Sequence, residues 1–250
     1  MVGAAIAGVG LMVMGALLWA PPPWVFERLA RAFPGCLYRV ATDRPVIALT
    51  LDDGPDSITT PLILEELRHY SARATFFLIA SRVARHDQLV RRIVAEGHEL
   101  GNHFMYDRAS IHLSPDAFAS DLERAGQILA PFAPVRWARP GSGWYSQPMI
   151  AAMHRSRYRC ALGSVYPLDA SIPSVAFARH YILRNLRPGA IVILHDNGGR
   201  GRRTAQVLSE VLPKLRRRGY RVVSLSDLVA AAQPAHAAGA PLAAPAPTRR

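Results

Sequence analysis

Lysine is all but missing from this 250-residue chain: Lys214 is the only one. The excess of 30 basic over 18 acidic side chains, a formal charge of +12, is therefore carried by arginine. That charge is spread along the chain, which suits a soluble surface near an anionic partner such as a membrane or cell-wall polymer. Helix-turn-helix and zinc-finger spacings are absent, as is any interleaved basic and aromatic run, so no nucleic-acid partner is expected. Cysteine is scarce as well. Cys36 and Cys160 cannot build a disulfide framework, and without a C-x-x-C pair a cysteine-only zinc site is excluded. They read as two unpaired thiols, with a single disulfide between them as the alternative. Charged residues make up only 19% of the chain against 50% hydrophobic, which excludes a protein disordered throughout.

Charge is missing altogether from residues 1–26. Val2 to Ala20 is an unbroken run of apolar and small residues, and as a helix it would span about 28 Å, close to a bilayer's hydrocarbon thickness. Pro21, Pro22 and Pro23 end the run, and Trp19 and Trp24 stand where an interfacial aromatic belt would lie. A signal peptide would need a basic start and a small residue where Leu18 stands, so an uncleaved transmembrane anchor is expected, with residues 27–40 as a linker. The folded domain is expected extracytoplasmic, against the positive-inside weight of Arg28, Arg31 and Arg39. Residues 231–250 are mostly alanine and proline and read as a disordered tail.

Between the ends, residues 41–230 alternate short apolar runs with amphipathic segments. Strands are expected at 46–51, 74–79, 135–138, 190–194 and 220–224. Helices are expected at 59–70, 87–95, 114–129, 147–154, 204–217 and 225–231, with Ser114-Pro115-Asp116 as a capped start and Gly97 as a stop. Repeated β–α units argue for a mostly parallel sheet or barrel, with chemistry at the strands' C-terminal ends.

Five elements with reactive side chains fall at such ends. Asp52 and Asp53 follow the first strand in TLDDGP (50–55). Neighbours on a strand face opposite ways, so they would have different jobs unless the turn intervenes. His103 and Asp107, four apart in HFMYD, share one face if that segment is helical and can then grip one cation, whereas His98 reads as structural. Arg139, in ARPGSGW (138–144), can pin a carboxylate. Asp169 stands in LDA (168–170), and His195 with Asp196 closes the most apolar strand in ILHD, a good place for a proton donor.

In this order the five resemble the NodB-homology polysaccharide deacetylases, carbohydrate esterase family 4, whose pattern runs T-F-D-D-G-P, H-[ST]-x-x-H, R-x-P, an aspartate, then L-x-H or L-H-D. The resemblance implies a distorted, incomplete (β/α) barrel. It also implies roles: Asp52 general base, Arg139 its orienting partner, His195 general acid tuned by Asp169, and Asp53, His103 and Asp107 ligands of a divalent metal. The implied activity is removal of N-acetyl groups from a cell-envelope polysaccharide, with zinc as the simplest metal. Asp107 stands where the family has histidine, which should admit manganese, cobalt or magnesium more readily. Ala170 replaces a tryptophan, and residues 141–144 depart from the family loop. Pro140 and Trp144 are expected at the substrate, Trp144 by stacking on sugar.

Overall fold

The computed structural model describes residues 21–232. The 2–20 run expected to span a membrane and nearly all of the Ala/Pro-rich tail lie outside the described residues. Among those described, no helix is long and apolar enough to cross a membrane.

Eight strands form one sheet: β1 Cys36–Leu37, β2 Val46–Asp52, β3 Thr75–Leu78, β4 Glu99–Asn102, β5 Trp137–Ala138, β6 Arg159–Ala161, β7 Ile191–His195 and β8 Arg221–Val223. Every pairing between them is parallel, in the order β1-β6-β5-β4-β3-β2-β7, with β8 beside the first half of β2. Isolated bridges Arg39↔Ala190 and Val165↔Val192 draw the two ends of the sheet towards each other. The result is the expected incomplete (β/α) barrel.

The helices are α1 Pro23–Ala32, α2 Thr59–His69, α3 Ala80–Val83, α4 Asp87–Ala95, α5 Pro115–Leu129, α6 Gln147–Arg155, α7 Val175–Asn185, α8 Gly198–Arg217 and α9 Leu225–Ala232. All seven residues of β2 are buried, which is why it reads as a continuous apolar run rather than an alternating one. Over it pack Ile63, Leu64 and Leu67 of α2 and Val207, Leu208, Val211, Leu212 and Leu215 of α8, each set at helical spacing. Each such aliphatic side chain, fully buried, contributes about 1.5–3 kcal/mol. Ser114 caps α5, its Oγ accepting from the Ala117 N–H at 3.3 Å, and Gly97 closes α4 at φ +81°.

Two expectations need correction. Residues 27–40 are not a linker: α1 runs to Ala32, and β1 enters the sheet beside β6, with Cys36 in register with Cys160. Tyr38 and Cys36 are buried there, so this segment has apolar surface to pack, which a linker lacks. Helix α8 begins at Gly198, not at residue 204, because Gly201 lies against Thr59 of α2, where a β-carbon would sit 2.5 Å from that side chain. The two thiols are free and buried, with Sγ atoms 2.8 Å apart.

Candidate active site

The C-terminal ends of β2, β4, β5 and β7 converge on one cavity of about 610 Å³. It is lined by Asp52, Asp53, His103, Asp107, Arg139 and His195, together with Trp144, Tyr145, Tyr166, Ala170 and Arg200. Asp52 and His195 are in-register partners on β2 and β7, so base and acid candidates stand on adjacent strand ends, about 4.8 Å apart in backbone. Asp53 adopts φ +73°, breaking strand alternation, so the turn does intervene and both carboxylates line the same cavity. Phe104, Ser142 and Leu168, beside or in the cavity, also have positive φ, a concentration of backbone strain characteristic of functional sites.

Arg139 is buried and fully engaged. Its Nη1 donates to Asp52 Oδ1 at 2.6 Å and Thr50 Oγ1 at 2.8 Å, its Nε to the Ala161 carbonyl at 2.9 Å, and its guanidinium lies 4.1 Å from the Phe77 ring centre. Asp52 is thereby fixed in one rotamer with Oδ2 left free of Arg139. Asp169 holds His195 through both carboxylate oxygens, at 3.0 and 2.9 Å from Nδ1, and accepts the His195 backbone N–H at 3.2 Å. Burial disfavours the imidazolium, but the Asp169 hydrogen bond and charge, with Asp52 and Asp53 behind, outweigh it and raise the His195 pKa. The ring therefore holds its proton to higher pH than a free imidazole, and its Nε2 has no protein partner among the described residues.

His103 Nδ1 faces the Arg139 carbonyl at 2.7 Å, so that nitrogen carries a proton and Nε2 faces Asp53 Oδ1 at 3.4 Å. Burial opposes charge on Asp53, yet the hydrogen bond and charge of His103, followed by His195 and Arg200, hold its carboxyl well below the usual range. Asp53 Oδ2 is buried and accepts no hydrogen bond. An imidazole oriented through its far nitrogen, beside a carboxylate whose buried oxygen accepts no hydrogen bond, fits two ligands of a divalent cation.

Asp107 does not join them. Residues 103–108 are not helical, Phe104 sits at φ +65°, and Asp107 is 43% exposed and ion-paired with Arg82 Nη2 at 3.0 Å. Among the described residues no three acidic, histidine or cysteine side chains converge on a metal-sized point. The expected three-ligand set is thus corrected to a pair, because the turn after His103 carries Asp107 outward to the arginines. Pro140 is also corrected: it is buried at the head of the short 3₁₀ turn Gly141–Gly143, its carbonyl accepting the Gly143 N–H at 3.3 Å, and it does not line the cavity. Trp144, at 69% exposure on the rim, is free to meet a ligand. His98 is structural, its Nδ1 accepting the Ala74 N–H at 3.2 Å.

Three residues at the site went unread in the sequence. Tyr166 stands edge-on to His195, ring centres 6.1 Å apart, and supplies an aromatic wall where Ala170 has none. Arg200 Nη1 lies 3.1 Å from Asp53 Oδ2, and Arg82 Nη1 donates to the Asp53 carbonyl. The expected helix begins only at residue 204, so nothing in NGGRGRR (197–203) pointed to the cavity.

A buried aspartate held by arginine, a histidine held by a second aspartate and a carboxylate–histidine pair beside them line one cavity of an incomplete (β/α) barrel. The polysaccharide deacetylase family model matches residues 39–161. A peptidoglycan-N-acetylglucosamine deacetylase of Bacillus cereus is 34% identical over 196 residues, covering 77% of this chain and 92% of the relative. A chitooligosaccharide deacetylase of Bradyrhizobium sp. is 34% identical over 196 residues, covering 73% and 90%. Among solved structures, a family 4 pseudoenzyme of Bacillus anthracis superposes with a TM-score of 0.72 at 25% identity, covering 78% of this chain and 69% of that one. The chain belongs to the polysaccharide deacetylase family.

Proposed function

We propose that this protein hydrolyses the N-acetyl group of an amino sugar in a cell-envelope glycan, peptidoglycan or a chitin-like chain. The observation that carries this reading is the Arg139–Asp52 pair in register with the Asp169–His195 pair across β2 and β7. It is supported by relatives named as deacetylases of such glycans. Asp52, fixed by Arg139, takes a proton from water as the oxygen adds to the acetyl carbon. His195 gives its proton to the departing nitrogen as the C–N bond breaks, since an amide anion leaves too poorly by itself. The products are acetate and a free amine, and the proton on Asp52 returns to His195 through solvent. A divalent cation on Asp53 and His103, zinc, manganese, cobalt or magnesium, would supply Lewis-acid polarisation of the acetyl carbonyl. Trp144 on the rim offers a face for a sugar ring.

Acetate released and new amines, measured together on N-acetylated glycan fragments, test the reading. D52N should lower kcat on the order of 10³-fold, within the range for a lost general base. Acetate without new amines would instead assign the machinery to an O-acetyl ester. The displaced Asp107 and the pseudoenzyme neighbour favour one other reading, a glycan binder without turnover. Equal, negligible release by wild type and D52N, with glycan still retained, would establish that one. We place the domain on the outer side of a membrane, where a cell-envelope glycan is met, with the apolar run 2–20 as its anchor. Labelling of a single cysteine, introduced on the surface of the domain with Cys36 and Cys160 both replaced, by an impermeant maleimide in intact cells tests that placement.

A further inference from the structure

We propose that the Arg200 guanidinium is an internal counter-ion for Asp53 that competes with the divalent cation and sets how tightly the cation is held. The inference rests on the reading of Asp53 and His103 as metal ligands. Asp53 Oδ2 is buried without a hydrogen bond, and Arg200 Nη1 faces it at 3.1 Å. The other end of the same guanidinium, Nη2, lies 4.0 Å from Asp107 Oδ2. Arg82 already pairs with Asp107, and Arg139 already pairs with Asp52. Three guanidinium groups therefore face three carboxylates, and a dication added to that balanced set meets repulsion unless one cation withdraws.

Arg200 is the one placed to do so. Arg139 is buried and held by four partners, whereas the Arg200 side chain is 33% exposed and has only ion-pair contacts. Its backbone is fixed, because Gly201 packs against Thr59 and the Gly198 N–H is accepted by Asp56 Oδ2 at 3.2 Å. Only the side chain is left to move, outward into the open cavity. Metal entry is accordingly an exchange: the dication takes the Asp53 Oδ2 that Arg200 faces, and the guanidinium moves out to solvent.

The test is a calorimetric titration of the metal-free full-length protein with Co²⁺, repeated with Zn²⁺. R200Q and Arg200→Met should each bind at least tenfold more tightly than wild type, while R200K, which keeps the charge, stays within a few-fold of wild type. D53N should abolish the site in both backgrounds. Affinity that is unchanged or weaker in R200Q and Arg200→Met would overturn the proposal, as would tight binding by R200K equal to that of R200Q. The Arg200→Met variant serves if R200Q fails to fold. Acetate release, scored separately, keeps the two readings apart. A wild type that releases acetate while R200Q binds Co²⁺ no tighter sinks the competition alone. Tighter binding in R200Q without acetate from any variant sinks the deacetylase reading instead.

Discussion

Asp169 fixes the orientation of His195, the proposed general acid, with both carboxylate oxygens at Nδ1 and one accepting the backbone N–H. That grip also raises the His195 pKa, so the charged acid persists to higher pH than a free imidazole would. The sign of the consequence is fixed. A general acid works below its pKa, and activity is lost as pH rises through it. D169N removes the charge that holds the proton, so the alkaline limb of kcat/KM against pH should move to lower pH. The variant should also lose roughly tenfold to a hundredfold in kcat, part of the general-acid contribution of about 10²–10⁴. An alkaline limb that stays in place would mean that His195 is not the proton donor. At this scale the sequence was informative for Asp52, Asp53, His103, Arg139, Asp169 and His195, which do line or brace one cavity, because the C-terminal strand ends point them there. It was not informative for Asp107. Spacing four apart implies a shared face only in a helix, and the positive φ at Phe104 unwinds that stretch.

Helix α8 illustrates what patterns miss among the elements. A run with glycines at 198, 199 and 201 carries low helix propensity, so the helix was expected to begin at residue 204. Tertiary contact starts it a turn and a half earlier, where the bare Cα of Gly201 admits Thr59. Thr59 in turn donates to the buried Asp196 Oδ1 at 2.7 Å, so this contact joins α2, α8 and the loop after β7. Alanine at 201 would gain propensity but place its methyl within 2.5 Å of the Thr59 side chain. Gly201→Val, which gains less and clashes more, should destabilise the fold by about 1–3 kcal/mol, the usual cost of overpacking. A denaturant midpoint that does not fall would show that α8 can slide. The same reasoning explains the strands that were missed. Strand β4 (ELGN) has no β-branched residue and β1 and β6 are too short to show alternation, whereas β2 and β7 announce themselves by seven and five largely apolar positions.

At the scale of the whole molecule, two buried groups with no partner in common pull the pH dependence of stability in opposite directions. Asp196 is wholly buried, and burial pushes its carboxyl from 3.8 up to about 7 although Thr59 and Thr60 both donate to it. His98 is pushed by burial from 6.5 down to about 4, with its ring nitrogen committed to the Ala74 N–H. Between about pH 4 and 7 the folded chain binds more protons at Asp196 than the unfolded chain does, so this residue makes stability fall as pH rises. Over about pH 4 to 6.5 the unfolded chain binds more at His98, so that residue makes stability rise with pH. At about 1.4 kcal/mol per pH unit each contribution reaches a few kcal/mol, and in the wild type they largely offset one another. His103 and His195 do not disturb this window, because their raised values take effect above 6.5, and the lowered Asp53 takes effect below 3.8. Replacing one member should therefore uncover the other. D196N should give unfolding free energies that climb from pH 4 to 6.5, and His98→Asn, which retains an acceptor for Ala74, should give values that decline over the same interval. Each variant will also carry a constant offset from lost packing or hydrogen bonding, so the slope against pH is the quantity to measure. Parallel slopes in the two variants would show that neither group changes its proton affinity on folding.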